Sequence, residues 1–151
     1  MNNEALKAEL VALFPEAAVE EGPQWITATV GASSWKAIAC QLRSSPGLDF
    51  DFLFCLTCVD WKTQLTMVYH LTSTQHRHSL VVKSNLNREL PEIDTVSDIW
   101  LTAEFHEREV FDLFGVVFKE HRDLRRLFMT DEYEGWPLRK DFEDAVNMIK
   151  L

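Results

Sequence analysis

Apolar and polar residues alternate along this chain with two different periods, and the switches between them lay out its elements. Leu6, Leu10 and Leu13 recur at helical spacing behind Asn3, a good capping residue, and Pro15 follows closely, which predicts a first helix. After the turn pair Gly22-Pro23, the residues Trp25 to Val30 alternate with the period of a half-buried strand. Ser33 or Ser34 opens a second helix that buries Trp35, Ile38, Ala39 and Leu42 and runs to about Ser44, where Pro46-Gly47 ends it. Phe52 to Val59 is nearly all apolar, which predicts a central strand covered on both faces. Leu65 to Leu71 and Ser79 to Lys83 alternate as half-exposed strands and join through the polar segment Thr72 to His78 as a hairpin. Asn85 to Asp94 reads as a polar crossing, and Thr95 starts a turn through Trp100 with Asp98 placed to complete a capping box.

Beyond residue 100 the pattern changes. Ala103, Val110 and Phe114 share one helical stripe with His106, while Glu104, Arg108 and Asp112 form a second. Gly115 suits the left-handed residue at a helix C-terminus, and Val116 to Phe118 resume as an extended apolar segment. Residues 1 to 118 are therefore expected to form an α+β domain, with helices packed on one face of a mostly antiparallel four-stranded sheet. Residues 119 to 151 are expected to form an extended segment in which Arg122, Asp123, Arg125, Arg126, Asp131, Glu132, Glu134, Arg139, Lys140 and Asp141 alternate with Leu124, Leu127, Phe128, Trp136, Leu138 and Phe142. Such a ribbon has too little apolar surface of its own to make a core and too many aromatics for a solvated tail, so it reads as a docking strip. Trp136, between Gly135 and Pro137, is its expected exposed anchor.

Charge narrows the partners. The net charge of −9 argues against nucleic acid or an anionic membrane surface. Residues 101 to 151 hold eight Lys or Arg against twelve Asp or Glu, so both signs are concentrated in the last third, as an ionic interface requires. No stretch approaches the roughly 20 apolar residues of a membrane span, and the first residues, with Glu4 and Glu9, do not resemble a secretion signal. Cys40, Cys55 and Cys58 are read as buried structural thiols, because strand alternation sends Cys55 and Cys58 to opposite faces; a reducing cytoplasm follows. A thiol enzyme using Cys55 and Cys58 is the alternative of a different class.

Other chemistries find little support. His106-Glu107 lacks the second His one helical turn on, where Val110 stands, so a zinc-peptidase site fails. His76 and His78 read as part of a solvated turn, and neither a phosphate loop nor a nucleophile motif is present. Glu107, Glu109 and Asp112 are expected to be fixed, ionised carboxylates paired with Arg108, Arg125 and Arg126, which makes them poor proton donors. Arg108 reaches Glu104 and Asp112 one turn to either side, and is expected to act as a buried fork linking the helix to the ribbon.

E-R-E at Glu107, Arg108 and Glu109, D-L-F-G from Asp112 through Phe114 to Gly115, and His121 carry a family resemblance. So do D-L-R-R-L (Asp123, Leu124, Arg125, Arg126, Leu127) and G-W-P-L-R-K-D-F (Gly135, Trp136, Pro137, Leu138, Arg139, Lys140, Asp141, Phe142). Together they resemble the 30 kDa subunit family of respiratory complex I, which in bacteria supplies the C subunit of the proton-translocating NADH:quinone oxidoreductase. V-D-W at 59 to 61, M-V-Y-H-L at 67 to 71 and S-D-I-W at 97 to 100 add weaker similarity. The resemblance implies a subunit with no catalytic residue, metal or cofactor of its own. It would brace the quinone-site subunit (49 kDa, D-type) and the iron–sulfur subunits (B- and I-type) of the peripheral arm, with FMN, the clusters and quinone on those partners. It implies a peripheral position on the cytoplasmic side of the inner membrane, with the quoted residues as interface. The same role in a ferredoxin-linked dehydrogenase or membrane-bound hydrogenase is the alternative. Glu120-His121-Arg122 departs from the family's usual Gly-His-Pro, and Glu143 stands where Pro commonly follows Asp-Phe.

Overall fold

A computed structural model describes residues 2–148. Among them are three helices, α1 (Asn3–Leu13), α2 (Trp35–Ser44) and α3 (Ala103–Phe114). The strands are β1 (Ala18–Glu21), β2 (Ile26–Val30), β3 (Phe52–Asp60), β4 (Gln64–Ser73), β5 (His78–Asn87), β6 (Glu92–Asp94) and β7 (Val117–Lys119). The main sheet runs β1-β2-β5-β4-β3 and is antiparallel except where β2 pairs with β5; β6 and β7 form a separate parallel pair.

The core lies on one face of the main sheet. Period-two alternation sends Ile26, Ala28 and Val30, then Leu65, Met67, Tyr69 and Leu71, then Leu80 and Val82 to that face, where all are buried. Leu6 and Leu10 of α1, Trp35, Ile38 and Leu42 of α2, and Ala103, Val110 and Phe114 of α3 close over them in a single apolar cluster. Trp35 is fully buried between Tyr69, 4.4 Å away between ring centres, and Trp100 at 6.4 Å. Truncating such a ring costs roughly 3 to 5 kcal/mol.

The α+β architecture agrees with the alternation pattern, but several details differ. The main sheet has five strands among the described residues, not four, because Ala18–Glu21 adds an edge. β3 is the opposite edge and not a central strand: Phe52 and Phe54 are 43% and 37% exposed. Only the inward face of β3 is core; aromatics on its outward face give the run its continuous apolar look. The end of the 85–94 crossing is β6, and β5 itself runs to Asn87. Asn2, not Asn3, caps α1, its Oδ1 accepting from the Ala5 N–H at 2.8 Å. Asp98 completes no capping box and instead pairs with Lys36. His76 is exposed, as a solvated turn requires, but His78 is buried; their Nε2 atoms lie 3.0 and 2.8 Å from the carbonyls of Pro46 and Leu48, which ties the hairpin tip to the turn after α2.

Candidate docking site

The site is built where α3 meets the segment that follows it. α3 ends because Gly115 takes the left-handed conformation (φ 75°), its N–H donating to Phe111 O at 2.9 Å. A Cβ there would also overlap the Trp136 indole, so glycine is required both by the backbone and by its neighbour. Trp136 packs against Phe111 at 5.7 Å, and the Arg126 guanidinium lies 4.6 Å from its ring centre. Trp136 is thus a half-buried bolt within the chain and not the exposed anchor expected.

Asp112 holds the first part of the ribbon. It is fully buried, and its Oδ2 accepts from three successive backbone N–H groups, Leu127, Phe128 and Met129, at 3.1, 2.6 and 3.1 Å. Its Oδ1 accepts from Arg126 Nη1 at 3.0 Å. Burial alone would raise the Asp112 pKa, but the Phe128 and Met129 N–H groups, Arg126 and the Leu127 N–H outweigh it and hold the carboxyl below its ordinary value. Arg126 continues inward, donating to the carbonyls of Tyr133 and Gly135 at 2.8 and 3.0 Å.

Arg108 is a buried clamp, 5% exposed, but its acceptors are not the carboxylates that spacing suggested. Its Nε and Nη2 donate to the carbonyls of Arg125 and Arg126 at 3.2 and 3.1 Å. Glu104 pairs with Arg122 and Asp112 with Arg126. Glu107 has no arginine partner either. It is buried and accepts from the Thr95 hydroxyl at 2.5 Å and the Val96 N–H at 2.8 Å, and burial pushes its pKa up to about 7. Glu107 is thus not the arginine-paired carboxylate expected, and its burial, which outweighs its two hydrogen bonds, favours the neutral form.

A second anchor lies at the end of β3. Asp60 is buried and accepts from Arg88 Nε and Nη2 at 3.1 and 2.9 Å and from the Lys140 N–H at 2.8 Å. Arg88 also reaches Asp141 at 2.7 Å. The Arg88 guanidinium holds the Asp60 carboxyl well below the usual carboxylate range. Arg139 Nε donates to Phe114 O at 2.7 Å and the Leu138 N–H to Leu113 O at 3.0 Å, which satisfies carbonyls left open at the end of α3.

Asp112, Phe114, Gly115, Arg126, Gly135, Trp136, Leu138 and Arg139 are thus brought together, and Leu124 packs on the core edge. Asp123 pairs with Arg125 at 3.0 Å on the surface. Phe142 stacks on Tyr133 at 6.3 Å, Pro137 is half-buried, and half-buried Glu109 raises the Cys55 thiol after burial does so. Asp60, Arg88 and Thr95 belong to the site and were not singled out; V-D-W at 59 to 61 was the one hint of Asp60. Residues 149–151 of the expected ribbon lie outside the described residues.

While Arg126 and Arg139 turn toward α3, several apolar side chains are left outside among the exposed charges of the ribbon. Phe128 is 64% and Leu138 53% exposed on the ribbon, and Phe105 57% on α3, three residues before Arg108. The cysteines form no counterpart. Cys55 pairs in register with His70 on the outer face, while Cys58 faces the core with Met67, so the two thiols cannot meet. Burial pushes the Cys58 thiol up to about 12; Cys40, expected to be buried, is exposed. No helix among the described residues is long and apolar enough to cross a membrane.

Residues 28–146 match the family described as respiratory-chain NADH dehydrogenase, 30 Kd subunit. The chain is 41% identical over 136 residues to the NADH-quinone oxidoreductase C subunit of Moorella thermoacetica, covering 89% of this chain and 90% of that one. It is 37% identical over 153 residues to the F(420)H(2) dehydrogenase C subunit of Methanosarcina mazei, covering 97% and 96%. It is 46% identical over 112 residues to the NADH-quinone oxidoreductase C/D subunit of Phocaeicola vulgatus, covering 73% of this chain but only 22% of that relative's length. Among solved structures, the trypsin-resistant fragment (1-134) of Nqo5 superposes with a TM-score of 0.71 at 27% identity, over 82% of this chain and all of that one. A chain of the membrane-bound sulfane sulfur reductase, an archaeal respiratory membrane complex, superposes with a TM-score of 0.81 at 26% identity, over 94% and 86%. Sequence match and shared fold agree: the chain belongs to the 30 kDa subunit family of the respiratory-chain NADH dehydrogenase.

Proposed function

We propose that this chain is an assembly subunit of the peripheral arm of a proton-translocating NADH:quinone oxidoreductase, placed on the cytoplasmic face of the membrane and carrying no redox centre itself. It braces the quinone-site (D-type) subunit against the iron–sulfur (B- and I-type) subunits, which with the FMN-bearing part hold the cofactors. The observation that carries this reading is the inside-out ribbon. Asp112, Arg108 and Asp60 fix its backbone from within, while Phe128 and Leu138 face outward beside Phe105. A ribbon held at fixed register with apolar anchors outward fits a preorganised docking strip, since its ordering is complete before a partner arrives. The C/D name of the Phocaeicola relative supports a D-type neighbour, because there a C-like part and a further part share one chain.

The Methanosarcina relative favours a second reading, the same brace in an assembly with a different electron donor. Purification of the tagged chain from native membranes in mild detergent tests both. Co-elution with flavin, iron–sulfur absorption and NADH-driven quinone reduction supports the first reading; the same cofactors with activity from another donor support the second. A chain recovered free of flavin and clusters would contradict the assembly role.

A further inference from the structure

Glu107 is the one group at this site that the clamps do not explain. It is fully buried in the middle of α3, where an apolar residue would pack without desolvation cost. The groups around its carboxyl form a path to water. Thr95 Oγ1, on a residue 4% exposed, lies 2.5 Å from Glu107 Oε2 and 2.8 Å from Ser97 Oγ. Ser97 is half-exposed and lines an open cavity of about 250 Å³ with Lys36 and Arg122.

The surrounding charges leave the proton to Glu107. From the segment after β7, His121 Nε2 stands 3.8 Å from Glu107 Oε2. His121 Nδ1 accepts the Asp123 N–H at 3.0 Å, so its ring hydrogen sits on Nε2 and faces Glu104 O, also at 3.0 Å. From α2, Lys36 acts on Glu107 through space but is bound to Thr95 O at 2.7 Å and to Asp98. From β4, the buried Tyr69 is close enough for a Glu107 charge to raise its hydroxyl beyond what burial does.

We propose that Glu107 is a proton-exchange site reached from the Lys36–Arg122 cavity through the Ser97 and Thr95 hydroxyls. With the carboxylate, Ser97 donates to Thr95 and Thr95 to Glu107 Oε2. On uptake, a hydronium in the cavity delivers a proton to Ser97 Oγ, the Ser97 hydrogen passes to Thr95 Oγ1, and the Thr95 hydrogen passes to Glu107. One proton enters, water is left in the cavity, and both hydroxyls end intact but reversed, with Glu107 now donating to Thr95. The Val96 N–H keeps Glu107 Oε1 in place in both states. Because this site is read in the isolated chain, its failure leaves the assembly role untouched.

Carbon-13 NMR of the glutamate carboxyls in the full chain, titrated from pH 5 to 9, tests the proposal. The resonance absent from Glu107→Gln is assigned to Glu107. It is expected to titrate near neutrality in the wild type. In Thr95→Val, which removes the one side-chain donor to the carboxylate among the described residues, its midpoint is expected to rise by about one unit or more, and Thr95→Ser should restore it. A Glu107 resonance that titrates with the surface glutamates would overturn the proton site. A midpoint that Thr95→Val leaves unmoved, in a chain with unchanged amide spectrum, would overturn the relay.

Discussion

Replacing Asp112 with Ala should free the ribbon without unfolding the domain. The substitution strands three backbone N–H groups, those of Leu127, Phe128 and Met129, and leaves the Arg126 guanidinium without its carboxylate. Removing one member of a buried pair costs roughly 3 to 5 kcal/mol. The lower part of that range applies, about 3 kcal/mol, because a lifted ribbon can turn its N–H groups to water while the core cluster of α1, α2 and the main sheet stays closed. Asp112→Asn keeps the shape but loses the charge, and its amide nitrogen must face either the N–H groups or Arg126; about 2 kcal/mol is expected. Hydrogen exchange measures this locally. The amides of residues 127–129 should exchange about 100-fold faster in Asp112→Ala, with β4 and β5 amides little changed. Trypsin should cut after Arg125 and Arg126 sooner than in the wild type. Protection of residues 127–129 within about threefold of wild type would show that Asp112 does not hold the ribbon.

Three further outcomes follow from the same contacts. Arg108→Ala should destabilise the ribbon by about 2 to 3 kcal/mol and Arg108→Lys by about 1 to 2, since one ammonium cannot hold both carbonyls in fork geometry; chemical denaturation that finds Lys neutral would remove the clamp. Glu120 stands in the left-handed region at φ 64°, which favours Gly, so Glu120→Gly should raise stability by about 0.5 to 1 kcal/mol, read as a higher melting temperature. Glu107 binds its proton more tightly folded than unfolded, so its contribution is full below pH 4.5 and is lost as pH rises to about 7, by at most about 3 kcal/mol. Asp60 and Asp112 act in the opposite sense, losing stability as pH falls through their depressed folded values. Urea midpoints of wild type should therefore fall relative to Glu107→Gln between pH 4.5 and 7, and parallel curves would refute it.

What could be read in the sequence was what local period encodes. The buried face of α2, Ala103, Val110 and Phe114 on α3, the β4–β5 hairpin and the left-handed stop at Gly115 stand where spacing put them, whereas on α3 Glu107 takes the fully buried place and His106 is half-buried. Strand order was not legible, because β3 carries apolar residues on a solvent face and β1 is a polar edge with Glu20 and Glu21 exposed. The partners of the charged residues were only half legible. Spacing showed that Arg108 could reach a neighbour one turn away, but its acceptors are backbone carbonyls of the ribbon, and a carbonyl leaves no mark on a sequence. The same holds for Asp112, whose three N–H donors come from consecutive residues 15 to 17 positions later. Trp136 composed like an interface anchor because an aromatic between Gly and Pro looks exposed until the turn at Gly115 makes room for it.

The docking reading rests most directly on Phe105 and Phe128, which are 57% and 64% exposed and contribute little to the domain's own core. In the double substitution Phe105→Glu and Phe128→Glu, burial of two carboxylates in a partner interface should abolish recovery of the chain with the flavin and iron–sulfur subunits, while its own melting temperature stays within about 2 °C of wild type. Normal yield of the assembled complex from that variant would contradict the claim that this face is where the partner docks.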